Sequence, residues 1–465
     1  MINTLPDEVL LEIFDMCRKK HNASVYGIVW RWLELVHVCR RWRYLIFGSP
    51  RGLDLQLLCT HGTPVRESLD IWPPLPIVIQ YHHDKSFTPY DASNLLAALE
   101  NPVRIHKVDL FLTGTRLAEV ATVMQQPLPA LTHLTVQWVD KTPPPLPNGF
   151  LGGSSPCLQR IYLDGILYPA LPALLLSTSD LVDLTLINIP PRGYISPESI
   201  VACLATLPRL KSFLVEYFSA TSHIVPTRLP PVTRSLLPTL TFFGFQGDSE
   251  YLEDLVSRID SPRLNRLSIF YLIRPPGIQF TQLFKFIDRS EDPGLSVIKH
   301  ADILFSPESV KLETYPCPGR SLDSRCVTIL IDCHQIETQV FHISQVFSQP
   351  STMLSRVVHL KLIRYQNGAD VNPNEGEWLY LFRQLSTVRT LHVNLAFVKY
   401  IARALKQASG EVALEVLPVV DLIFLDGLSM WYIKNFIFSR RYFGLPVTVV
   451  NTQAEFDERV KSYFD

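Results

Sequence analysis

Residues 129–136 read Pro129-Ala130-Leu131-Thr132-His133-Leu134-Thr135-Val136, with apolar side chains at 131, 134 and 136. Successive strand side chains point to opposite faces, so Leu134 and Val136 share one side while His133 and Thr135 take the other. The apolar-x-x-apolar-x-apolar core recurs at Ile105/Val108/Leu110, Leu158/Ile161/Leu163, Leu181/Leu184/Leu186, Leu210/Phe213/Val215, Leu240/Phe243/Phe245 and Leu264/Leu267/Ile269. It returns at Val357/Leu360/Leu362, Val388/Leu391/Val393 and Val419/Leu422/Phe424, with weaker matches at Ile298/Ala301/Ile303 and Cys326/Ile329/Ile331. First anchors lie 23 to 34 residues apart, room for one strand and one helix each. Five of them follow a proline two positions earlier: Pro129, Pro156, Pro208, Pro238 and Pro262. Helical patterns fill gaps at 196–207, 249–259, 280–289, 377–385, 397–408 and 431–440, with Ser196-Pro197-Glu198 and Ser249-Glu250 as starts.

One strand and one helix cannot hide three anchors, and burying each Leu or Ile side chain stabilises by roughly 1.5–3 kcal/mol. Stacked neighbours must therefore supply most of the stability. The reading is an α/β chain whose residues 101–465 form a solenoid of strand–helix repeats, with 51–100 as a linker or solenoid cap. A βαβ domain is the alternative, but it wants longer, fully apolar strands and fewer units.

The first fifty residues carry a different pattern. Pro6, Asp7 and Glu8 suit a helix N-terminus, and Val9, Leu10, Ile13, Phe14 and Cys17 follow as one apolar stripe. A second helix is expected from near Val25, with Trp32, Leu35, Cys39, Trp42 and Ile46 at steps of three and four, ending at Gly48-Ser49-Pro50. Two such stripes need the rest of the chain or a partner to cover them.

These residues resemble the F-box. Leu5-Pro6-Asp7-Glu8-Val9-Leu10-Leu11-Glu12-Ile13-Phe14 matches the family's first half and Val38-Cys39-Arg40-Arg41-Trp42-Arg43 its second. The continuation through Phe47-Gly48-Ser49-Pro50-Arg51 and Thr63-Pro64-Val65-Arg66 to Leu69-Asp70-Ile71-Trp72 resembles F-box proteins of mushroom-forming (basidiomycete) fungi. One departure is the step from Phe14 to Val38, longer than is usual in the family, which implies an enlarged loop from about His21 onward. The repeats, in turn, resemble the irregular leucine-rich repeats that commonly follow an F-box, although the Asn or Cys after the third anchor is mostly missing. The resemblance implies an N-terminal helical F-box at 1–50 that docks a Skp-family adaptor and through it a cullin-RING ubiquitin ligase. Leu5, Pro6, Val9, Leu10, Ile13, Phe14, Val38, Cys39 and Trp42 are the adaptor-binding candidates.

Composition bounds the rest. The 465 residues carry 43 Lys+Arg against 44 Asp+Glu, which argues against a polybasic nucleic-acid binder. With 47% hydrophobic and 19% charged residues, wholesale disorder is excluded. Thirty-six prolines and only 20 glycines speak against one large antiparallel barrel. Eight scattered cysteines without a C-x-x-C, a polar start and no apolar span lead us to expect a cytoplasmic or nuclear address. Arg40, Arg41 and Arg43 around Trp42 and Tyr44 are a basic–aromatic run, but a short one, and Trp42 lies on the apolar stripe.

Phosphate-loop, dinucleotide, zincin and nucleophile-elbow motifs are missing from the sequence. His82-His83-Asp84 and Asp332-Cys333-His334 place neighbours on opposite strand faces, so neither converges on a metal or a proton. Asp457, Glu458 and Asp465 read as a solvated terminal helix. We expect no enzyme activity, no metal, no cofactor, no membrane and no nucleic acid. The expected role is substrate recognition for an SCF-type (Skp–cullin–F-box) ligase, with a ligase-independent repeat scaffold as the alternative. Polar positions alternating with the anchors mix charge and aromatics as a protein-binding face does. From them we take His133, Arg160, Tyr162, Asp183, Arg266, His359, Lys361 and His392 as substrate contacts.

Overall fold

A computed structural model describes residues 5–19, 31–48, 56–60, 63–82, 89–138, 145–217, 233–272, 278–292, 295, 297–316, 326–364, 375–425 and 433–450. The loop after His21 and the last three carboxylates lie outside these residues, as do His83 and Asp84. The chain divides into two compact units, Met1–Gly193 and Tyr194–Asp465.

The first unit opens with α1 (Asp7–Lys19), α2 (Arg31–Val38) and α3 (Arg40–Gly48). Their shared core holds Leu10, Phe14, Val36 and Ile46, with the Trp42 ring 4.8 Å from that of Phe14. Arg41 ties the start of α1 to α3, donating to the Leu5 carbonyl at 2.6 Å and pairing with Asp7 at 2.5 Å. The single second helix expected through Ile46 is instead two, broken at Cys39. There the Cys39 carbonyl accepts the Arg43 amide at 3.1 Å, opening α3, while Arg43 Nε reaches back to the Val36 carbonyl of α2 at 3.0 Å. A helix's last carbonyls need such partners, and three-and-four spacing runs through the break without marking it.

Then come β1 (Leu57–Cys59), α4 (Val65–Ile71), β2 (Ile77–His82), α5 (Pro89–Leu99), β3 (Ile105–Leu112) and α6 (Gly114–Val123). The unit closes with β4 (His133–Trp138), β5 (Arg160–Asp164), α7 (Leu171–Leu175) and β6 (Asp183–Ile189). The six strands pair in chain order, all parallel. The anchors read from the sequence are buried throughout, joined by Ile77, Ile79 and Tyr81 of β2.

The recurring prolines have a local cause. The amide of each first anchor closes a turn on the carbonyl three residues earlier: Leu131 on Leu128, Leu158 on Ser155, Leu210 on Leu207, Leu240 on Leu237 and Leu264 on Ser261. Proline then occupies the second turn position, where its fixed φ is already correct.

The second unit runs through α8 (Pro197–Leu204), β7 (Ser212–Tyr217), β8 (Ser235–Leu236), β9 (Phe242–Gly247), α9 (Ser249–Ser257), β10 (Ile259–Asp260), β11 (Arg266–Tyr271) and α10 (Thr281–Asp288). Ser196 caps α8, its hydroxyl accepting the Ser199 amide at 3.2 Å. Next are β12 (His300–Phe305), β13 (Ser309–Tyr315), β14 (Val327–Asp332), α11 (Ile336–Phe347), β15 (His359–Arg364), α12 (Glu375–Gln384) and β16 (Thr390–Val393). The last are α13 (Leu395–Gln407), α14 (Val412–Glu415), β17 (Leu422–Leu425), α15 (Lys434–Tyr442) and β18 (Thr448–Val450). Strands β7, β9, β11 and β14 are neighbours in parallel, and so are β12, β15, β16, β17 and β18. Joining the two runs, β13 is antiparallel to both β12 and β14. Strands β8 and β10 form a separate short parallel pair.

Two features depart from the sequence reading. The series is not wholly parallel, because the weak matches at 298–303 and 326–331 flank an antiparallel strand with Val310, Leu312 and Thr314 buried. The last repeat is also shifted by one residue. Val420, Ile423 and Leu425 are buried, whereas Val419 is exposed and Leu422 and Phe424 are half-buried. A one-residue slip exchanges the faces of a strand, so Phe424 joins the open side.

Candidate functional site

The helical opening presents the first candidate surface. Leu10 and Phe14 are 1% and 2% exposed, so they serve the internal core of α1–α3. Pro6 is exposed, Val9 is 39% and Val38 59% exposed, and Leu5, Ile13, Cys39 and Trp42 are half-buried. The nine adaptor candidates thus split into two sealed residues and seven that reach the surface wholly or in part.

On the open side of the first unit, strand register aligns Lys107, His133, Arg160 and Asp183 in one lateral row. Tyr162 lies in the next row, between Thr135 and Thr185. Arg160 and Asp183 pair at 2.9 Å, and His82 Nε2 meets Asp109 at 3.2 Å. Burial, with Lys107, Arg160 and His106 nearby, pushes the His133 imidazole down to about 4. It is therefore neutral at pH 7, and its Nδ1 is 2.8 Å from the Thr132 hydroxyl. Within the row, then, Arg160 and Asp183 pair with each other beside a neutral His133.

In the second unit three of the expected residues converge. His359, Lys361 and His392 line an open cleft of about 430 Å3 together with His300, Asp302, Tyr315, Thr390 and Phe424. Arg266 stands apart from it on β11, its guanidinium 4.8 Å from the Phe242 ring centroid. Register builds the cleft from two rows. The first runs Tyr315, His300, His359, Thr390 and Leu422; the second runs Glu313, Asp302, Lys361, His392 and Phe424.

The first row is a ladder of rings. Tyr315 and His300 stack at 5.6 Å and 3°, and His300 and His359 at 4.5 Å and 12°. The Tyr315 hydroxyl donates to Asp302 Oδ1 at 2.6 Å, fixing the ladder's first ring. Burial, then His359 and Lys299, push the His300 imidazole below its ordinary value, so the ladder's middle ring is neutral at pH 7. In the second row His392 lies edge-on to Phe424 at 5.8 Å. His300 and Asp302 follow from the weak 298–303 match by the alternation already used. Tyr315 needs the unsignalled strand β13, and Phe424 needs the corrected register of β17.

These side chains form a stacking and charge-pairing surface. Cys333, beside His334 in the sequence, is buried and its thiol is pushed up to about 12 by that burial and by Asp332. Such a thiol is a poor nucleophile at neutral pH. Among the described residues no group of three His, Cys, Asp or Glu is placed to hold a metal ion, and no helix is long and apolar enough to cross a membrane.

No protein-family model matches the chain, and no curated protein matches it. Among solved structures it is similar to TLR13 in its complex with ssRNA13, at 13% identity and a TM-score of 0.29, covering 79% of this chain and 42% of that one. It is also similar to the leucine-rich repeat-containing protein LegL7 from Legionella pneumophila, at 12% identity and a TM-score of 0.21, covering 86% and 91%. The chain thus spans less than half the length of the TLR13 chain that it matches. The strand–helix series itself is established by the chain's own turns, registers and burial.

Proposed function

We propose that this chain is the substrate-recognition subunit of an SCF-type ubiquitin ligase. On this reading residues 1–50 are an F-box that docks a Skp-family adaptor, and the leucine-rich-repeat-type strands beyond them hold a protein to be ubiquitinated. The carrying observation is the paired motif, Leu5 to Phe14 and Val38 to Arg43, on helices whose inner faces are sealed while Pro6, Val9 and Val38 remain outside. Exposed apolar side chains on one small helical unit suit a partner helix. The chain performs no chemistry on this reading; it raises the effective concentration of its target beside the ligase.

Co-purification of the full chain with a Skp-family adaptor tests this. Val9→Asp combined with Val38→Asp is expected to reduce recovered adaptor at least tenfold with an unchanged melting midpoint, since exposed substitutions usually cost within about 0.5 kcal/mol. A wild-type chain that retains no adaptor ends the reading. The second reading, a repeat scaffold outside any ligase, is favoured by the burial of Leu10 and Phe14 within the chain's own helices. It expects a bound protein partner but no cullin in the same pull-down.

A further inference from the structure

The ring ladder of the cleft stops one place short. Tyr315, His300 and His359 stack across three neighbouring strands, and the next position in that row is Thr390, whose side chain is too short to continue it. Neighbouring strands lie about 4.8 Å apart, close to the 4.5 Å between the His300 and His359 rings. A planar group set over Thr390 therefore meets the outer face of His359 at stacking distance, with Leu422 and Phe424 beyond it. The cavity of about 430 Å3 admits a side chain of that size.

Charge on this side of the cleft has one sign. The cleft-facing positions of β15, β16 and β17 are His359, Lys361, Thr390, His392, Leu422 and Phe424, with no carboxylate among them. Asp302 lies on the far side of Lys361 and accepts the Tyr315 hydroxyl. A polyanion such as RNA would need several phosphate contacts, yet here it would find one lysine with Asp302 beside it. A single carboxylate beside a ring fits better.

We propose that the slot over Thr390 receives the aromatic side chain of a protein segment whose neighbouring residue is Asp or Glu. The ring stacks on His359, Lys361 pairs with the carboxylate and His392 donates to it. This deepens the substrate-receptor reading by naming the class of target segment, and it is measured without any adaptor. Loss of adaptor binding and loss of segment binding are thus separate results.

The test is fluorescence anisotropy of the full chain with a labelled twelve-residue Gly/Ser peptide centred on Glu-Trp-Glu. Saturable binding is expected, weakened at least tenfold when Ala replaces the Trp or Lys replaces both Glu. Thr390→Trp, which fills the slot with the protein's own ring, should weaken it at least tenfold. Lys361→Glu should reverse the preference toward Lys-Trp-Lys, a readout that survives even if Thr390→Trp fails to fold. Equal binding of the three peptides, no binding of any, an unaffected and folded Thr390→Trp, or displacement by polyuridine RNA would each overturn the proposal.

Discussion

His133 sits in a lateral row between Lys107 and Arg160, partly withdrawn from water. Desolvation and those cations disfavour its charged form and push it down to about 4, against an ordinary value of 6.5. Between those two values the unfolded chain takes up a proton that the folded chain refuses. The contribution is therefore present above pH 6.5 and is lost as pH falls toward 4. Half-exposure screens it to roughly 1 kcal/mol. In urea titrations at pH 7 and pH 4, the wild-type midpoint is expected to fall further than that of His133→Gln. Equal falls would show that His133 titrates as it does in the unfolded chain. That His133, Arg160 and Asp183 share a row was legible in the sequence, because the repeated spacing fixes which positions alternate with the anchors. Glu253 was not legible as a functional part of anything, and its reason lies in how helices meet.

Helix α10 begins at Thr281 after Phe280, which offers no side-chain cap. Its orphan amides are met from the preceding repeat: Glu253 on α9 accepts from Gln282 at 2.7 Å and from Leu283 at 2.9 Å. Burial raises this carboxyl, while the two amides and Lys285 work the other way. Glu253→Ala leaves both amides unpaired in a buried place and is expected to cost about 1–3 kcal/mol in urea unfolding, with Glu253→Gln costing less because one acceptor survives. A cost near zero for Glu253→Ala would mean that water replaces the cap. Local rules find caps within a few residues, so a cap supplied by another repeat escapes them. The shift in β17 escaped for a different reason. Leu422-Ile423-Phe424-Leu425 is apolar throughout, so alternation carries no information there. Yet Pro418 stands two before Val420, whose amide closes the same turn on Leu417 at 3.1 Å. The proline rule seen in five other repeats identifies the correct first anchor where hydrophobicity does not. No comparable punctuation announces β13, whose partners are set by two reversals of chain direction.

At the scale of the whole molecule, the question is how a helical opening and a strand–helix series belong to one unit. Within Met1–Gly193, Trp72 stands just after α4, its ring 6.0 Å from His37 of α2 and 5.9 Å from Phe47 of α3. Aromatic pairs of this kind contribute about 0.5–1.5 kcal/mol each beyond the area they bury. The strands behind Trp72 draw their stability from a different source, the anchors buried between neighbouring repeats. Trp72→Ala is therefore expected to loosen the opening without loosening the series. By hydrogen exchange, amides of α2 and α3 should lose roughly ten- to a hundredfold in protection, the equivalent of about 1–3 kcal/mol, while those of β2 to β5 keep theirs. Uniform acceleration across the unit would place Trp72 in a single cooperative core. Unchanged α2 and α3 would mean that the contacts among α1, α2 and α3 hold the opening by themselves. The same distinction bears on adaptor binding: an opening that is its own folding element can be loosened by a partner, or by Trp72→Ala, without unmaking the cleft between β12 and β17.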